Sequence, residues 1–220
     1  MATQRQVTTI LPLLCSLLLY SAVQAQPLEA GRVFHPADLV ELVKLDSSVR
    51  LDIRYATPYN FMKRPMYGEA RAFLQRPVAE ALMRANKRLH TQGYGLLVFD
   101  GYRPWSVTKK FWDETPPDKR KYVANPQKGS KHNRGCAVDL TLYDLKTGRE
   151  VEMTSPYDDF TEKASAFYAG GTEAEHRHRD LLRSTMREEG FTVEPEEWWH
   201  FDYREWRSYK ILDIPFEQLN

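Results

Sequence analysis

Apolar and polar residues alternate from Val49 to Tyr55, with Val49, Leu51, Ile53 and Tyr55 on one side and Arg50, Asp52 and Arg54 on the other. That period of two predicts a half-buried strand. A second alternation runs from Val138 through Leu140 and Leu142, and it sets Asp139, Thr141 and Tyr143 on the opposite face. Gly95 to Phe99 is a short, wholly apolar strand, and Glu196 to Tyr203 is an aromatic, strand-like stretch near the end. Helical spacing appears after Pro77, where Val78, Ala81, Leu82, Ala85 and Leu89 share one face and Gly93 stops the helix. A longer helix is expected from Glu173 to Glu189, with Leu181, Leu182, Thr185 and Met186 inward and Gly190 as its stop. Trp105 to Asp113 reads as a short helix, Thr161 to Ala169 fits one as well, and Leu39 to Leu45 suits either a strand or a short helix.

Between these elements, Ala56 to Arg76 carries Pro58, Asn60, Pro65 and Gly68 among several aromatic residues, which suits a long ordered loop. Thr115 to Lys131 is a basic, proline-containing loop, and Lys146-Thr147-Gly148 is a hairpin turn expected to return the chain as a strand over Arg149 to Met153. Strands and helices mix without a regular βαβ rhythm. The expected fold is therefore α+β: a single domain with a mostly antiparallel sheet flanked by helices.

The amino terminus changes this picture. Arg5 is followed by an apolar run from Ile10 to Tyr20 and by Val23-Gln24-Ala25, so residues 1–25 read as a secretory signal peptide cleaved after Ala25. The run is too short for a membrane span, and Leu14 before Cys15 is too bulky for a lipoprotein cleavage site. The mature domain, residues 26–220, opens on a leader from Gln26 to Arg32 that is expected to be mobile, and its localisation is expected to be periplasmic or secreted. It keeps a single cysteine, Cys136, which excludes an internal disulfide and reads as packing. The 31 Lys and Arg against 30 Asp and Glu leave a formal net charge of +1, which demands no nucleic acid partner.

The candidate chemistry gathers around Ser130-Lys131-His132-Asn133-Arg134-Gly135-Cys136-Ala137-Val138-Asp139. A carboxylate on a strand is costly to bury unless it is solvated, paired or bound to a cation. With His200, which follows two tryptophans, His132 and Asp139 supply two imidazoles and one carboxylate. Three protein ligands with a fourth position for water is the pattern of a catalytic zinc site. Glu197 is the candidate general base, but in a regular strand an offset of three puts it opposite His200, so this reading requires a bend or bulge near Trp198. Arg103, held extended before Pro104, is the candidate for stabilising a tetrahedral intermediate. Taken singly, each of these residues is better explained by packing or by a solvated surface charge. His176 and His178 diverge on their helix and read as a solvated helix start, and no nucleophile elbow surrounds Ser130.

Three ordered motifs, Asp100-Gly101-Tyr102-Arg103-Pro104, Ser130-x-His132-x-x-Gly135-x-Ala137-x-Asp139 and Glu197-x-Trp199-His200, resemble the D-alanyl-D-alanine dipeptidase family. These are zinc peptidases that include the vancomycin-resistance dipeptidases. The resemblance extends from about Leu45 to Tyr203. It implies one Zn2+ per chain on His132, Asp139 and His200, Glu197 as catalytic acid and base, and Arg103 supporting the transition state. It further implies that Tyr55 and Asp158 receive the ammonium group of a small dipeptide substrate and that Ser130 is another substrate contact. The resistance enzymes are cytoplasmic, whereas the export signal favours wall-peptide turnover or nutrient recovery. The loop between Arg103 and His132 also looks shorter than theirs. Two other functions fit the same motifs: a D,D-carboxypeptidase or wall endopeptidase, and a non-catalytic module that binds wall peptides. Nothing in the pattern sets an oligomeric state, and no stable membrane association is expected after cleavage.

Overall fold

The structure is a computed structural model in which residue 29 and residues 31–219 are described; the expected signal peptide lies outside them. Its elements are β1 (Leu39–Glu41), α1 (Leu42–Leu45), β2 (Arg50–Leu51), β3 (Phe73–Gln75), α2 (Arg76–His90), β4 (Tyr94–Asp100), α3 (Trp105–Glu114), β5 (Ala137–Asp144), α4 (Glu173–Glu188), β6 (Phe191–Glu194) and β7 (Glu197–Tyr203). Five strands form one sheet in the order β2-β4-β5-β7-β6, and β1 pairs with β3 in a separate two-stranded sheet. Every pairing is antiparallel except β2 with β4. Among the described residues no helix is long and apolar enough to cross a membrane.

The stripe predicted on α2 is its packing face, since Val78, Ala81, Leu82, Ala85 and Leu89 are all fully buried. This helix lies against β4 and against α4, which in turn covers β6. A capping box, with Thr172 and Glu175 satisfying each other's backbone groups, starts α4. Its Leu182, Thr185 and Met186 are buried, whereas Leu181 is only partly so. β5 runs between β4 and β7, so both of its edges are paired, and both of its faces are buried as well: Val138, Leu140 and Leu142 enter the apolar core, and Asp139 and Thr141 are buried on the other side.

Several sequence expectations are corrected. Only Arg50–Leu51 of the Val49 to Tyr55 strand pairs, and Arg54–Ala56 coils into a 3-10 turn that swings Tyr55 inward, although the apolar side of the alternation stays inward. Leu39 to Leu45 is both a strand and a short helix. The last residues of the long loop form β3. Beyond the turn at Gly148, Glu150 makes a single bridge to Tyr143, and the chain then leaves the ladder as Met153 and Tyr157 bury into the core. Thr161 to Ala169 holds only the 3-10 turn Glu162–Ala164, because Ala166 donates its amide to Pro195 rather than to a helical partner. Within the leader expected to be mobile, Glu29 is tied down, accepting from the buried Arg134 at 2.7 Å and from the Ile211 amide at 3.3 Å.

Candidate metal centre and active site

Two breaks in register build the site. Along β4 and β5, Val98 faces Leu140 but Asp100 faces Asp139, so Phe99 is an extra residue in the ladder. Asp139 in turn faces His200 on β7. Asp100, Asp139 and His200 therefore lie in a row across three neighbouring strands. The second break falls in β7, where Val193 faces Phe201 while Glu194 faces Glu197, leaving Trp198, Trp199 and His200 bulged out between those pairs. This bulge meets the demand read from the sequence: it brings Glu197 Oε2 to 3.8 Å from His200 Nδ1 on the same side of the strand.

His132 arrives from a 3-10 turn that ends at Gly135 in the left-handed region, φ +67. A side chain there would be strained, and its Cβ would sit 2.5 Å from Leu39. The turn delivers His132 Nε2 to 3.1 Å from His200 Nδ1 and 3.3 Å from Asp139 Oδ1, and His200 Nδ1 lies 2.9 Å from that same oxygen. All three residues are buried.

Hydrogen bonds on the outer side of each ring set its tautomer. His132 Nδ1 donates to the Gly101 carbonyl at 2.7 Å, and His200 Nε2 donates to Asp202 Oδ1 at 2.9 Å. Each of those acceptors requires the proton on the outer nitrogen, so the inner nitrogens present lone pairs toward each other and toward Asp139. Three lone pairs converging without a donor demand a shared positive charge. The electrostatics of the cluster favour positive charge there as well: burial opposes charge on His200, but Asp139 and Asp202 pull its pKa well up. Asp139 is likewise disfavoured by burial, yet the facing imidazoles hold its carboxyl below the usual range. The donor set, one carboxylate and two imidazoles each anchored from behind, fits a divalent transition metal. Tyr157 supplies the third anchor by donating its hydroxyl to Asp139 Oδ2 at 2.9 Å.

A pocket of about 310 Å³ opens over this cluster, and Tyr55, Arg103, Ser130, Asp158 and Glu197 all line it. Burial pushes the Glu197 carboxyl up to about 6, with the charge of Asp139 adding to it and His200 opposing. Arg103 is fixed by Asp100 Oδ2, which accepts from Nε at 2.9 Å and from Nη2 at 2.6 Å, and its guanidinium lies over the rings of Tyr55 and Phe111. The structural ion pair and the pocket-lining role thus coexist in one side chain. Asp158 has a positive φ of 60, accepts from the Tyr55 hydroxyl at 3.1 Å through both oxygens, and forms no ion pair with a described residue. Burial raises its pKa well above normal, and Asp139 and Glu197 raise it further. Ser130 Oγ accepts the His132 amide at 3.2 Å.

The remaining histidines stay away from the centre. His176 and His178 bond backbone carbonyls, of Gly170 at 2.7 Å and of Glu152 at 2.9 Å, so they are anchored rather than simply solvated. Cys136 is buried and contributes no atom to the cluster. A second acidic grouping, Glu194 and Asp202 with His200, already holds a cation, since Lys131 Nζ lies 2.7 Å from Asp202. Sequence reasoning missed Asp100, Tyr157, Asp202 and Lys131. For Asp202 a signal existed, because His200 and Asp202 are two apart on one strand and so share a face.

A family model described as D-ala-D-ala dipeptidase matches residues 35–213. A D-alanyl-D-alanine dipeptidase of Enterococcus faecium is 39% identical over 181 residues, covering 71% of this chain and 87% of that protein. The corresponding protein of Enterococcus faecalis is 37% identical over 186 residues, 76% of this chain and 88% of its own. That of Escherichia coli is 31% identical over 179 residues, 81% of this chain and 91% of its own. These matches place the protein among the metallopeptidases. The chain belongs to the D-Ala-D-Ala dipeptidase family.

Proposed function

We propose that this protein hydrolyses free D-Ala-D-Ala to two D-Ala, using one zinc ion held by His132 Nε2, Asp139 Oδ1 and His200 Nδ1, and that it works outside the inner membrane in wall-peptide turnover or scavenging. The observation that carries the reading is the convergence of those three lone pairs beside Glu197, in the same pocket as an uncompensated Asp158. When bound, the ion supplies a Lewis acid for the scissile carbonyl and makes the attacking water more acidic.

The chain's own residues do the rest. Asp158, with the Tyr55 hydroxyl beside it, holds the substrate's free ammonium group and so selects an unblocked amino end. Glu197 accepts a proton from the water as its oxygen bonds to the carbonyl carbon. It returns that proton to the amine as the C–N bond breaks, which suits a carboxyl whose pKa burial has moved toward neutrality. Arg103, kept charged and aimed by Asp100, stabilises the negative charge that develops on the carbonyl oxygen. Ser130, at the mouth of the His132 turn, offers its hydroxyl proton to the substrate.

The test is D-Ala release from D-Ala-D-Ala, L-Ala-L-Ala and N-acetyl-D-Ala-D-Ala by the exported protein, with and without chelator, alongside zinc content. Rapid, chelator-sensitive release from the first substrate alone is expected. Equal cleavage of the acetylated peptide would point to a carboxypeptidase, and binding without cleavage to a wall-peptide module. The export part is checked by the amino-terminal sequence of the secreted form, expected to begin at Gln26.

A further inference from the structure

A second chamber, of about 370 Å³ and open to solvent where the exposed Tyr59, Lys63 and Lys119 line it, adjoins the Asp158 side of the pocket. Phe61, Asp158 and Phe160 line both spaces. The two phenylalanines meet edge to face with centroids 5.6 Å apart. Phe160 is stacked on Tyr122 at 4.8 Å and 9°, and Phe61 is packed against Phe111 at 5.0 Å. Rings braced in this way from both sides form a partition rather than a mobile edge.

The far side of the partition is cationic. Arg54, Lys63 and Lys119 line the chamber. Arg54 is neutralised by Asp52 and Glu150, but neither Lys63 nor Lys119 forms an ion pair with a described residue. Independently, the two non-glycine residues with positive φ among those described are Lys63, φ 57, and Asp158, φ 60, and both line this chamber. Such backbone conformations are unfavourable and cluster at ligand sites.

If Asp158 holds the substrate's amino group, as proposed above, an extension from that nitrogen starts beside Phe61 and Phe160, the two rings that line both spaces with Asp158. We propose that Phe61 and Phe160 are specificity-determining residues that close the pocket beyond the substrate's amino group, and that the chamber behind them is a subsite for an acidic residue on the amino side, reached when the wall is cut back. Lys63 and Lys119, neither of them ion-paired with a described residue, would receive the carboxylate of that residue.

The experiment compares wild type, Phe160→Ala and Phe61→Ala on D-Ala-D-Ala, Gly-D-Ala-D-Ala and D-Glu-D-Ala-D-Ala, all zinc-loaded, with thermal melting to confirm folding. Phe160→Leu, which keeps an apolar contact but shortens the wall, replaces any variant that fails to fold. In either wall variant the ratio of tripeptide to dipeptide kcat/KM should rise at least about tenfold. The acidic tripeptide should be preferred to the glycyl one, and Lys63→Gln with Lys119→Gln in the Phe160→Ala background should abolish that preference. Calorimetric binding of the acidic tripeptide, read without turnover, should tighten in the wall variants. An unchanged ratio in a folded variant that still cleaves the dipeptide, or unchanged tripeptide affinity, overturns the partition. A rise without acidic preference overturns the subsite. Failure of the wild type on D-Ala-D-Ala would instead sink the proposed activity, and the binding comparison would still decide the partition.

Discussion

Asp202 stands directly behind His200: its Oδ1 accepts the Nε2 hydrogen at 2.9 Å, while Lys131 Nζ holds its other oxygen at 2.7 Å. Lys131 is also the residue before His132, so one lysine steadies the outer side of a ring that a different strand supplies. Such partners fix ring orientation and basicity, and losing them typically costs about 10–100-fold in metal affinity. Asp202→Ala should therefore weaken zinc binding by about that factor, with the fold retained. Chelator competition measures it, and an affinity within twofold of wild type would show that Asp202 does not orient the ring.

Glu197 contributes no atom to the His132, Asp139 and His200 cluster, although it lies within 3.8 Å of His200. Glu197→Gln keeps the shape and removes the proton acceptor. Zinc content should stay at one per chain while kcat falls by about 10²–10⁴-fold, the usual range for losing a general acid and base. Near-normal turnover in this variant would end the assignment of Glu197 as base.

Gly135 is the position where a single methyl should be felt most. Its φ of +67 is unfavourable for a side chain, and the added Cβ would meet Leu39 Cδ2 at 2.5 Å and the Gln75 amide nitrogen at 3.2 Å. Strain and overpacking together should make Gly135→Ala less stable by about 1–3 kcal/mol. A urea midpoint equal to that of wild type would show that the turn yields without strain.

Glu189 links two helices, accepting from Arg84 Nε and Arg88 Nε on α2, each at 2.7 Å, just beyond the end of α4. Burial works to raise its carboxyl, and the two arginines overcome that and leave its pKa below normal. A carboxyl depressed in the folded state stabilises the fold above its unfolded pKa of about 4.3 and loses that contribution as pH falls through the folded value. Glu189→Gln should thus lose about 1 kcal/mol at pH 7. The gap between variant and wild type should close as pH drops below about 4. Denaturation at several pH values reads the gap, and a constant difference would contradict the linkage.

Some of this molecule was legible as pattern. The stripe on α2 was readable because a surface helix must bury its apolar residues at a spacing of 3.6, and all five named positions are buried. Asp139 stood out because a carboxylate in an apolar strand calls for a positive partner. The return after Gly148 pairs only as far as Val151 and not to Met153, since local turn chemistry is indifferent to where Met153 and Tyr157 find their burial. The tether of Glu29 to Arg134 was equally invisible, because it joins residues 105 apart in the chain.

By itself the sequence determined which residue types were on offer: helix faces, alternating strands, and two imidazoles with carboxylates in motifs that resemble one peptidase family. Those follow from short-range periodicity and chain order. Only the tertiary structure decided that Glu197 and His200 share a side, that Asp100, Asp139 and His200 form a row, and that Tyr157, Asp202 and the Gly101 carbonyl hold the ligands from behind. The reason is register: adding one residue to β4 or bulging three from β7 changes which side chains meet across the sheet, and that is settled by packing between strands distant in sequence.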